Sequence, residues 1–528
     1  MLVGLMLLVY TAIQVYCINQ LSVSYDERSF ASYGTTLLKF QAQKDVLQYE
    51  SKLPITALNM IPRAAEQLLR PGLVKAWPYS EQDIINGRYV SLLVTILLGL
   101  VIFSWSSKLY NEKTAFYVTL TYLLCPNFMA HGIFVSSDIY ACFFMTVALY
   151  CSWLFFHQGR FRYFILMCVS TGLAQISKFS MFHLFLIIPI LFTVQLLYQK
   201  KHQAGGIKLK TMASYFVLFL LINWIIICAS HLFFQVFLPI KYYEFKSNSF
   251  KNLQQILNNF FPTLPVPLPS SYISSMDAVM YFDDLGGGVR GSLNGAPYIL
   301  GKSSVHGFWY YYFVALFFKV PVSLLILWIG SIAVFFKRFE RNTFFKNEIF
   351  LLVPIFYYLA YMSFFYSTQV GIRHLLVIFP FLFIFSGKII LYLTTGRKQF
   401  VLFLLIIYQA ISVLRYFPHF LPYTNEFIVN KKLAYKKIAD TNICYGEGDK
   451  FLKDFLKKQP GAVYMPEKPT AGKVVLEINE MLNLNIAAAH KYDWAGSLMP
   501  VDHVHSQYLV FDVEKATADS LQKKYSKL

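Results

Sequence analysis

Long runs of apolar residues recur along this chain, and they leave little room for any fold that does not cross a membrane. Most runs are long enough to span the roughly 30 Å hydrocarbon core of a bilayer as a helix. Of the 528 residues, 56% are hydrophobic and only 14% are charged, whereas soluble domains have about 25% charged residues. The first run lacks a basic start and a small-residue cleavage site, so we predict a retained helix and not a signal peptide. The pattern predicts eleven membrane spans, at about residues 1–18, 88–106, 115–133, 139–157, 163–177, 180–198, 213–239, 308–336, 349–367, 374–393 and 399–417.

The net charge of +19 is distributed as the positive-inside rule requires. When the first loop is placed outside, the three short outside loops contain only Lys178 and Arg373 as basic residues. The membrane therefore accounts for the basicity, and no basic stripe with interleaved aromatic residues indicates a nucleic acid partner. The basic residues of the short inside loops are Lys108, Lys113, Arg160, Arg162, Lys200, Lys201, Lys208, Lys210, Lys337, Arg338, Arg341, Lys346, Arg397 and Lys398.

The long polar segments all lie on the outer side in this topology. They are residues 19–87, residues 240–307 and the chain after the last span, and we expect function there because loops carry function on a rigid scaffold. Residues 26–44 predict an amphipathic surface helix, and residues 61–70 a shorter one. The loop at 240–307 is rich in Pro and Gly, which predicts irregular structure folded over the helices as part of a lid.

The chain divides into a membrane domain, 1–423, and a small soluble α/β domain, 424–528, outside the membrane. Helical patterns in the second part flank two strand-like runs. The predicted helices are 447–459 and 512–525, and the predicted strands are 473–478 and 507–511.

Three carboxylates are predicted close to the outer face. Asp26 and Glu27 directly follow the first span, where a carboxylate can act as a base toward a hydroxyl at the membrane surface. Ser24 and Glu27 also fit a capping box for the helix that follows, and Glu27 can cap while Asp26 reacts. Asp138 lies in a tight outside turn, where it either serves the site or stabilises a helix N-terminus.

Two cations interrupt otherwise uncharged outside turns. Lys178 and Arg373 can snorkel to the interface, or they can bind a lipid phosphate at that face. His374 follows Arg373 directly. Lys319 lies in or near the eighth span, where an ionisable group is usually paired or functional.

Metal-binding and redox motifs are not evident. The seven cysteines include no pair with C-x-x-C spacing, and the histidines lack metal-ligand spacing, so no metal ligand is predicted. Almost no acid lies deep in a span, which speaks against a proton-coupled transporter. The sequence contains no Asn-X-Ser/Thr sequon, which favours a bacterial cytoplasmic membrane with the site facing the periplasm or exterior.

Six segments together resemble the protein O-mannosyltransferase-like family of the GT-C membrane glycosyltransferases, which is related to the lipid A aminoarabinose transferase. The segments keep the family's order, with the expected spans between them. Where relatives often read S-N-x-D-W-G-Q-D, this chain has DTNICYGEGD at 440–449. The resembling segments are DE at 26–27, AHGIFVSSD at 130–138, ISKFS at 176–180, YILGKSSVHGFWYYYFVALFFKVP at 298–321, GIRHLLVIFPFLFIFSG at 371–387 and YFPHFLPYTNEF at 416–427.

The resemblance implies a GT-C fold and an inverting glycosyltransferase. Its donor would be a polyprenyl-phosphate-linked sugar, a mannose-like hexose or a pentose, and its acceptor a hydroxyl on protein, glycan or lipid. Asp26 would be the catalytic base, with Glu27 and Asp138 shaping the site. The donor phosphate would be bound by Lys178, Arg373 and His374, with Lys319 nearby; a divalent metal is possible, but the cations already compensate charge.

Three other functions remain open at this point. An oligosaccharide ligase or polymerase would need a larger donor groove. A transporter or flippase of lipid-linked sugars predicts polar residues along a path through the bilayer and often a two-fold repeat. A membrane scaffold predicts no site at all. Only the enzyme hypotheses require Asp26 to share a cleft with Lys178 and Arg373.

Overall fold

The protein is mostly helical, and its long apolar helices form one bundle. The computed structural model describes residues 2–42, 51–70, 72, 79–201, 209–287, 295–485 and 490–525. Short 3-10 turns, among them Pro54–Met60, Phe179–His183 and Ile372–Ile378, connect or extend the α-helices. The α-helices are α1 (Leu2–Gln20), α2 (Tyr25–Leu38), α3 (Ile61–Leu69), α4 (Glu81–Leu109), α5 (Glu112–Leu123), α6 (Pro126–His131), α7 (Asp138–Gln158), α8 (Phe161–Gln175), α9 (Leu184–Lys201), α10 (Leu209–Ser230), α11 (Asn248–Phe260), α12 (Ser270–Asp284), α13 (Tyr311–Lys319), α14 (Val322–Lys337), α15 (Arg341–Thr343), α16 (Ile349–Phe364), α17 (Phe379–Leu393), α18 (Gln399–Leu414), α19 (Asp449–Lys458), α20 (Ile478–Met481) and α21 (Lys515–Tyr525).

Within the described residues, eight helices are long and apolar enough to cross a membrane. Most of α7 is buried at the centre of the bundle against α4 and α8, whereas most side chains of α1, α10 and α18 are not buried within the protein. The protein is thus an integral membrane protein. The eight candidate spans are Leu2–Gln20, Glu81–Leu109, Asp138–Gln158, Phe179–Lys200, Thr211–Ser230, Arg341–Phe364, Ile372–Leu393 and Gly396–Leu414.

The other three predicted spans are helical but are not single long helices. The span predicted at 308–336 is a pair, α13 and α14, bent by 119°. The bend falls at Pro321, which lacks an N–H and disfavours helical backbone at the preceding residue. Pro126 likewise separates α5 from α6 in the segment predicted as 115–133. The segment predicted as 163–177 corresponds to α8, which has only 15 residues.

The first outer segment packs against the bundle more closely than its pattern predicts. Helix α2 is shorter than the predicted 26–44, and residues 43–50, where that prediction ends, lie outside the described residues. Phe30, Tyr33 and Leu37 are buried, as an amphipathic helix requires. Gly34 allows α2 to approach the 3-10 turn, because a Cβ there would lie 2.8 Å from the Thr56 carbonyl oxygen. This helix is therefore part of the core.

The second outer segment is more regular than predicted. Residues 240–307 contain the helices α11 and α12 and a small antiparallel hairpin of β1 (Tyr298–Ile299) and β2 (Lys302–Ser303). Part of the glycine-rich stretch, 288–294, lies outside the described residues.

The C-terminal α/β region confirms the predicted strands and helices. Its four-stranded sheet has the order β3 (Val463–Tyr464), β4 (Gly472–Glu477), β6 (Tyr508–Val513) and β5 (Asp502–Val504). β4 pairs antiparallel with β6, and consecutive valines, leucines and aromatics of the two strands are buried on both faces of the sheet. The helices α19 and α21 are those predicted at 447–459 and 512–525. The domain boundary at 423/424 stays a prediction.

Candidate active site

A cavity of about 450 Å³ lies at the end of the bundle that is covered by α2 and α12. Such a volume falls within the range of small-molecule sites. Its apolar wall includes Met276 and Met280 of α12, from the segment predicted to fold over the helices. Its polar lining includes five residues singled out from the sequence: Asp26, Asp138, Lys178, Arg373 and His374.

Asp26 is held in the cavity through one oxygen of its carboxylate. Its Oδ2 accepts hydrogen bonds from Arg373 Nη1, at 3.0 Å, and from the Tyr445 hydroxyl, at 2.6 Å. Burial alone would raise the pKa of Asp26, but the charges of Lys52 and Arg373 and the Tyr445 hydrogen bond hold that pKa below its usual range. Asp26 is therefore ionised at neutral pH.

Glu27 points away from the cavity into the bundle. Its two oxygens accept two hydrogen bonds from Arg88, at 2.8 and 2.6 Å, and both side chains are fully buried. The backbone N–H groups of Ser24 and Val135 also donate to it, at 2.8 and 2.9 Å. The bond from Ser24 is the capping interaction predicted from the sequence. With four donors on its carboxylate, Glu27 binds the start of α2 to α4.

Asp138 and Lys178 form an ion pair on the cavity wall. Lys178 Nζ lies 2.6 Å from Asp138 Oδ1. Asp138 is the first residue of α7, where the helix dipole favours a carboxylate. Lys178 comes from the turn that precedes the 3-10 turn Phe179–His183, so two neighbouring segments of the bundle meet here.

Arg373 and His374 enter the cavity from the 3-10 turn Ile372–Ile378. Arg373 connects Asp26 to Tyr445, and its guanidinium lies 4.8 Å from the centre of the Tyr445 ring. The His374 ring packs 5.8 Å from that of Tyr366, another lining residue.

Lys319 lies elsewhere. It is 1% exposed, and its ammonium donates to the backbone carbonyls of Leu421, Tyr423 and Asn442, at 2.6, 2.8 and 2.7 Å. These bonds use all three of its hydrogens. Lys319 does not line the cavity; it joins the bend between α13 and α14 to the segment after the last span.

Two residues of the site were missed by the sequence reasoning. Lys52 lines the cavity, its ammonium lies 4.1 Å from the centre of the Phe30 ring, and burial is the main cause that lowers its pKa. Lys52 lies in the first outer segment with no motif to mark it. Tyr445 belongs to the stretch 440–449, which departs from the pattern of the resembling family.

Metal-binding side chains are not grouped in the part of the chain that the structure describes. No three His, Cys, Asp or Glu side chains in that part of the chain are grouped so that they could hold a metal ion. The acids of the cavity are instead paired with Arg373 and Lys178.

The fold and the cavity define an integral membrane protein with a charged site at one end of its bundle. Residues 80–232 match the family described as dolichyl-phosphate-mannose-protein mannosyltransferase. This match confirms, over that segment, the resemblance found from the sequence. The segment contains Asp138 and Lys178, whereas Asp26 and Arg373 lie outside it. A comparison with curated protein sequences finds no match.

Several solved structures are similar to this chain at low sequence identity. ArnT from Cupriavidus metallidurans, bound to undecaprenyl phosphate, is 12% identical, with a TM-score of 0.33 and 98% of each chain covered. The oligosaccharyltransferase AglB from Archaeoglobus fulgidus, in complex with an inhibitory peptide and a dolichol-phosphate, is 10% identical, with a TM-score of 0.47. There the alignment covers 86% of this chain and 59% of AglB. An Archaeoglobus fulgidus oligosaccharyltransferase complex with Zn and sulfate is 11% identical, with a TM-score of 0.42. This alignment covers 85% of this chain and 57% of the oligosaccharyltransferase chain.

Proposed function

We propose that this protein is an inverting membrane glycosyltransferase, which moves a sugar from a polyprenyl-phosphate donor to an acceptor hydroxyl. The observation that carries this proposal is the lining of one cavity by an ionised carboxylate, Asp26, and by the cations Lys178 and Arg373. The description of the family that matches residues 80–232 names a dolichyl-phosphate sugar as donor, and this supports the donor class.

The cations suit the departure of a phosphate. A polyprenyl phosphate leaves as a stable anion, so the site needs positive charge there and not a general acid. In our proposal Lys178, Arg373 and His374 bind this group, and Asp138 orients Lys178 through their 2.6 Å contact. A planar guanidinium is well matched to phosphate oxygens.

Asp26 is the proposed base. An acceptor hydroxyl is a poor nucleophile, and a carboxylate that removes its proton as the new bond forms accelerates the attack. The oxygen of the hydroxyl attacks the anomeric carbon from one side while the phosphate leaves on the other. A single in-line displacement of this kind inverts the configuration at that carbon.

The donor itself would adjust the basicity of Asp26. In the structure Arg373 and Lys52 lower the pKa of Asp26, which makes it a weak base. A bound phosphate anion would share the charge of these cations and weaken their hold on the carboxylate. Asp26 would then become a stronger base when donor is present, which couples activation of the acceptor hydroxyl to donor binding.

The topology proposed from the charge distribution puts this cavity on the outer side of the membrane. The short loops rich in Lys and Arg then face the cytoplasm. We propose the bacterial cytoplasmic membrane, with the site open to the periplasm or exterior.

Purified protein in liposomes provides the test. Polyprenyl-phosphate [³H]mannose is the first donor, followed by other hexose- and pentose-linked donors, with a mixture of peptides, glycans and lipids as acceptors. We expect free polyprenyl phosphate and a labelled acceptor from the native chain, and neither from Asp26→Asn. Movement of intact labelled lipid between leaflets, with no cleavage of any donor, would instead establish a flippase and overturn the proposal.

A further inference from the structure

We infer that Tyr445, supplied by the C-terminal region, is a positioning residue of the proposed reaction. It fixes the Asp26 carboxylate through one oxygen, so that the other oxygen is presented to the acceptor hydroxyl. This inference rests on the proposed function and adds to it a role for the C-terminal region.

The hydrogen bonds around Asp26 are one-sided. The Tyr445 hydroxyl donates to Asp26 Oδ2 at 2.6 Å, and Arg373 Nη1 donates both to that oxygen, at 3.0 Å, and to the Tyr445 oxygen, at 2.6 Å. The three groups thus form a closed triangle on Oδ2. Among the described residues, Asp26 Oδ1 accepts no hydrogen bond, and the Asp26 side chain is 35% exposed. One oxygen anchors the carboxylate, and the other is available in the cavity.

Tyr445 is suited to donate and not to ionise. It is 3% exposed, and its ring packs edge-on against Phe134 with centroids 5.7 Å apart. Burial raises the pKa of the Tyr445 phenol well above its usual value despite the nearby Arg373. The hydroxyl therefore keeps its proton and serves as a permanent donor to Asp26.

The backbone around Tyr445 is bonded to the segment that begins α2. The Tyr25 N–H donates to the Tyr445 carbonyl at 3.1 Å, and the Ser22 N–H donates to the Glu447 carbonyl at 2.8 Å. In the same turn the Tyr445 N–H donates to Glu447 Oε2 at 2.9 Å. The tyrosine and the aspartate it contacts are thus positioned by one shared set of bonds.

Glu447 connects this turn to the C-terminal sheet. It is fully buried, and its Oε1 lies 2.5 Å from His419 Nε2 and accepts a 2.5 Å hydrogen bond from Gln507. Gln507 directly precedes β6. A continuous chain of polar contacts therefore runs from β6 through Glu447 and Tyr445 to Asp26, so the C-terminal region completes the site.

Other charged groups near Asp26 do not provide this anchor. Lys52 and Asp440 lie close enough for their charges to interact with that of Asp26. Burial raises the pKa of Asp440 to about 6. The hydrogen bonds that the described residues make to Asp26 Oδ2 come from Tyr445 and Arg373.

The test compares Tyr445→Phe with the native chain and with Tyr464→Phe, which removes a half-exposed hydroxyl from the same region. Turnover is measured with the liposome donors described above, and binding with undecaprenyl phosphate. A hydrogen bond to a charged group contributes enough to change a rate about tenfold or more. For Tyr445→Phe we expect kcat to fall about tenfold or more, with KM and the Kd for undecaprenyl phosphate within about twofold of native. Tyr464→Phe should match the native chain in all three values.

Fluorinated tyrosines at position 445 separate positioning from packing. They keep the shape of the ring but make the phenol a stronger donor, which lowers the basicity of Asp26. We expect kcat to fall progressively as the phenol becomes more acidic, because Asp26 becomes a weaker base. The melting temperature in detergent should stay constant. Native kcat in Tyr445→Phe, or a kcat that does not respond to fluorination, would overturn the inference alone. Absence of transfer by the native chain would overturn the proposed function as well.

Discussion

Asp26 and Glu27 are neighbouring carboxylates on the same helix turn, yet their surroundings are opposite. Glu27 is fully buried, and Arg88 and two backbone N–H groups occupy both of its oxygens. Asp26 is 35% exposed, and its hydrogen bonds from the described residues all go to Oδ2. Both face an arginine, so the nature of the partner does not distinguish them.

Helix geometry explains the difference. Successive residues of an α-helix point about 100° apart, so adjacent side chains face different environments. At the start of α2, one direction leads into the cavity and the next into the packed interior. A carboxylate whose oxygens are all engaged stabilises the fold, whereas one with an unengaged oxygen can still accept a proton.

The largest effect on turnover is expected when Asp26, the proposed base, is replaced. Asp26→Asn keeps the size and the contacts of the side chain but removes the proposed base, so turnover should fall about 10²- to 10⁴-fold. Donor consumption measures this fall, and thermal unfolding in detergent should show little change. Retention of near-native turnover would assign the base to another group.

Glu27→Gln should produce the reverse pattern. The substitution leaves the Arg88 charge buried without a counter-ion, which costs about 3–5 kcal/mol. We expect a clearly lower melting temperature, and less folded protein in the membrane. Adding Arg88→Met to Glu27→Gln removes the isolated charge and should recover part of the loss. An unchanged melting temperature in the single variant would show that this pair does not stabilise the fold.

The two lysines Lys178 and Lys319 extend the comparison to cations. Lys178→Met removes a charge from the cavity and should weaken undecaprenyl phosphate binding about tenfold, or about 1.4 kcal/mol. Lys319→Met leaves three buried carbonyls without a donor, so it should lower the melting temperature. Binding by the protein that remains folded should stay native. If folded Lys319→Met lost undecaprenyl phosphate binding, Lys319 would have to be assigned to the donor site.

The smallest effect is expected at the turn that carries Tyr445. Gly446 has a φ of +83°, and a Cβ there would lie 2.8 Å from the Tyr25 ring. Gly446→Ala should therefore cost about 1 kcal/mol and shift Tyr445 enough to lower turnover. Gly461→Ala is the matched control, because a Cβ at Gly461 meets nothing within 4 Å. If Gly446→Ala and Gly461→Ala had the same stability and the same turnover, the turn at Gly446 would not be constrained.

Much of the fold could be predicted because its main signals are local. Hydrophobic length located the helices, and short strand-like apolar runs located β4 and β6. The failures occurred at prolines: Pro321 and Pro126 interrupt apolar runs that composition alone reads as continuous. The amphipathic pattern of α2 located its apolar side, but not whether lipid or protein covers it.

The candidate site was predictable only in part, for a related reason. Asp138, Lys178 and Arg373 stand out because each is charged within an apolar surrounding. Arg88 carried a similar signal, since an ionisable residue at the edge of a span usually has a partner. Tyr445 and Lys52 carry no such mark, because their place depends on contacts between segments far apart in sequence.

The triangle of Asp26, Arg373 and Tyr445 has a consequence for biosynthesis. Asp26 follows α1, whereas Tyr445 follows α18, the last candidate span among the described residues, and is therefore synthesised later. An insertion intermediate that stops before residue 445 can thus place all eight candidate spans of the described residues in the bilayer and still lack the third corner of the triangle. In the proposed function, full turnover would therefore be reached only after the C-terminal region has been synthesised and has packed against the start of α2.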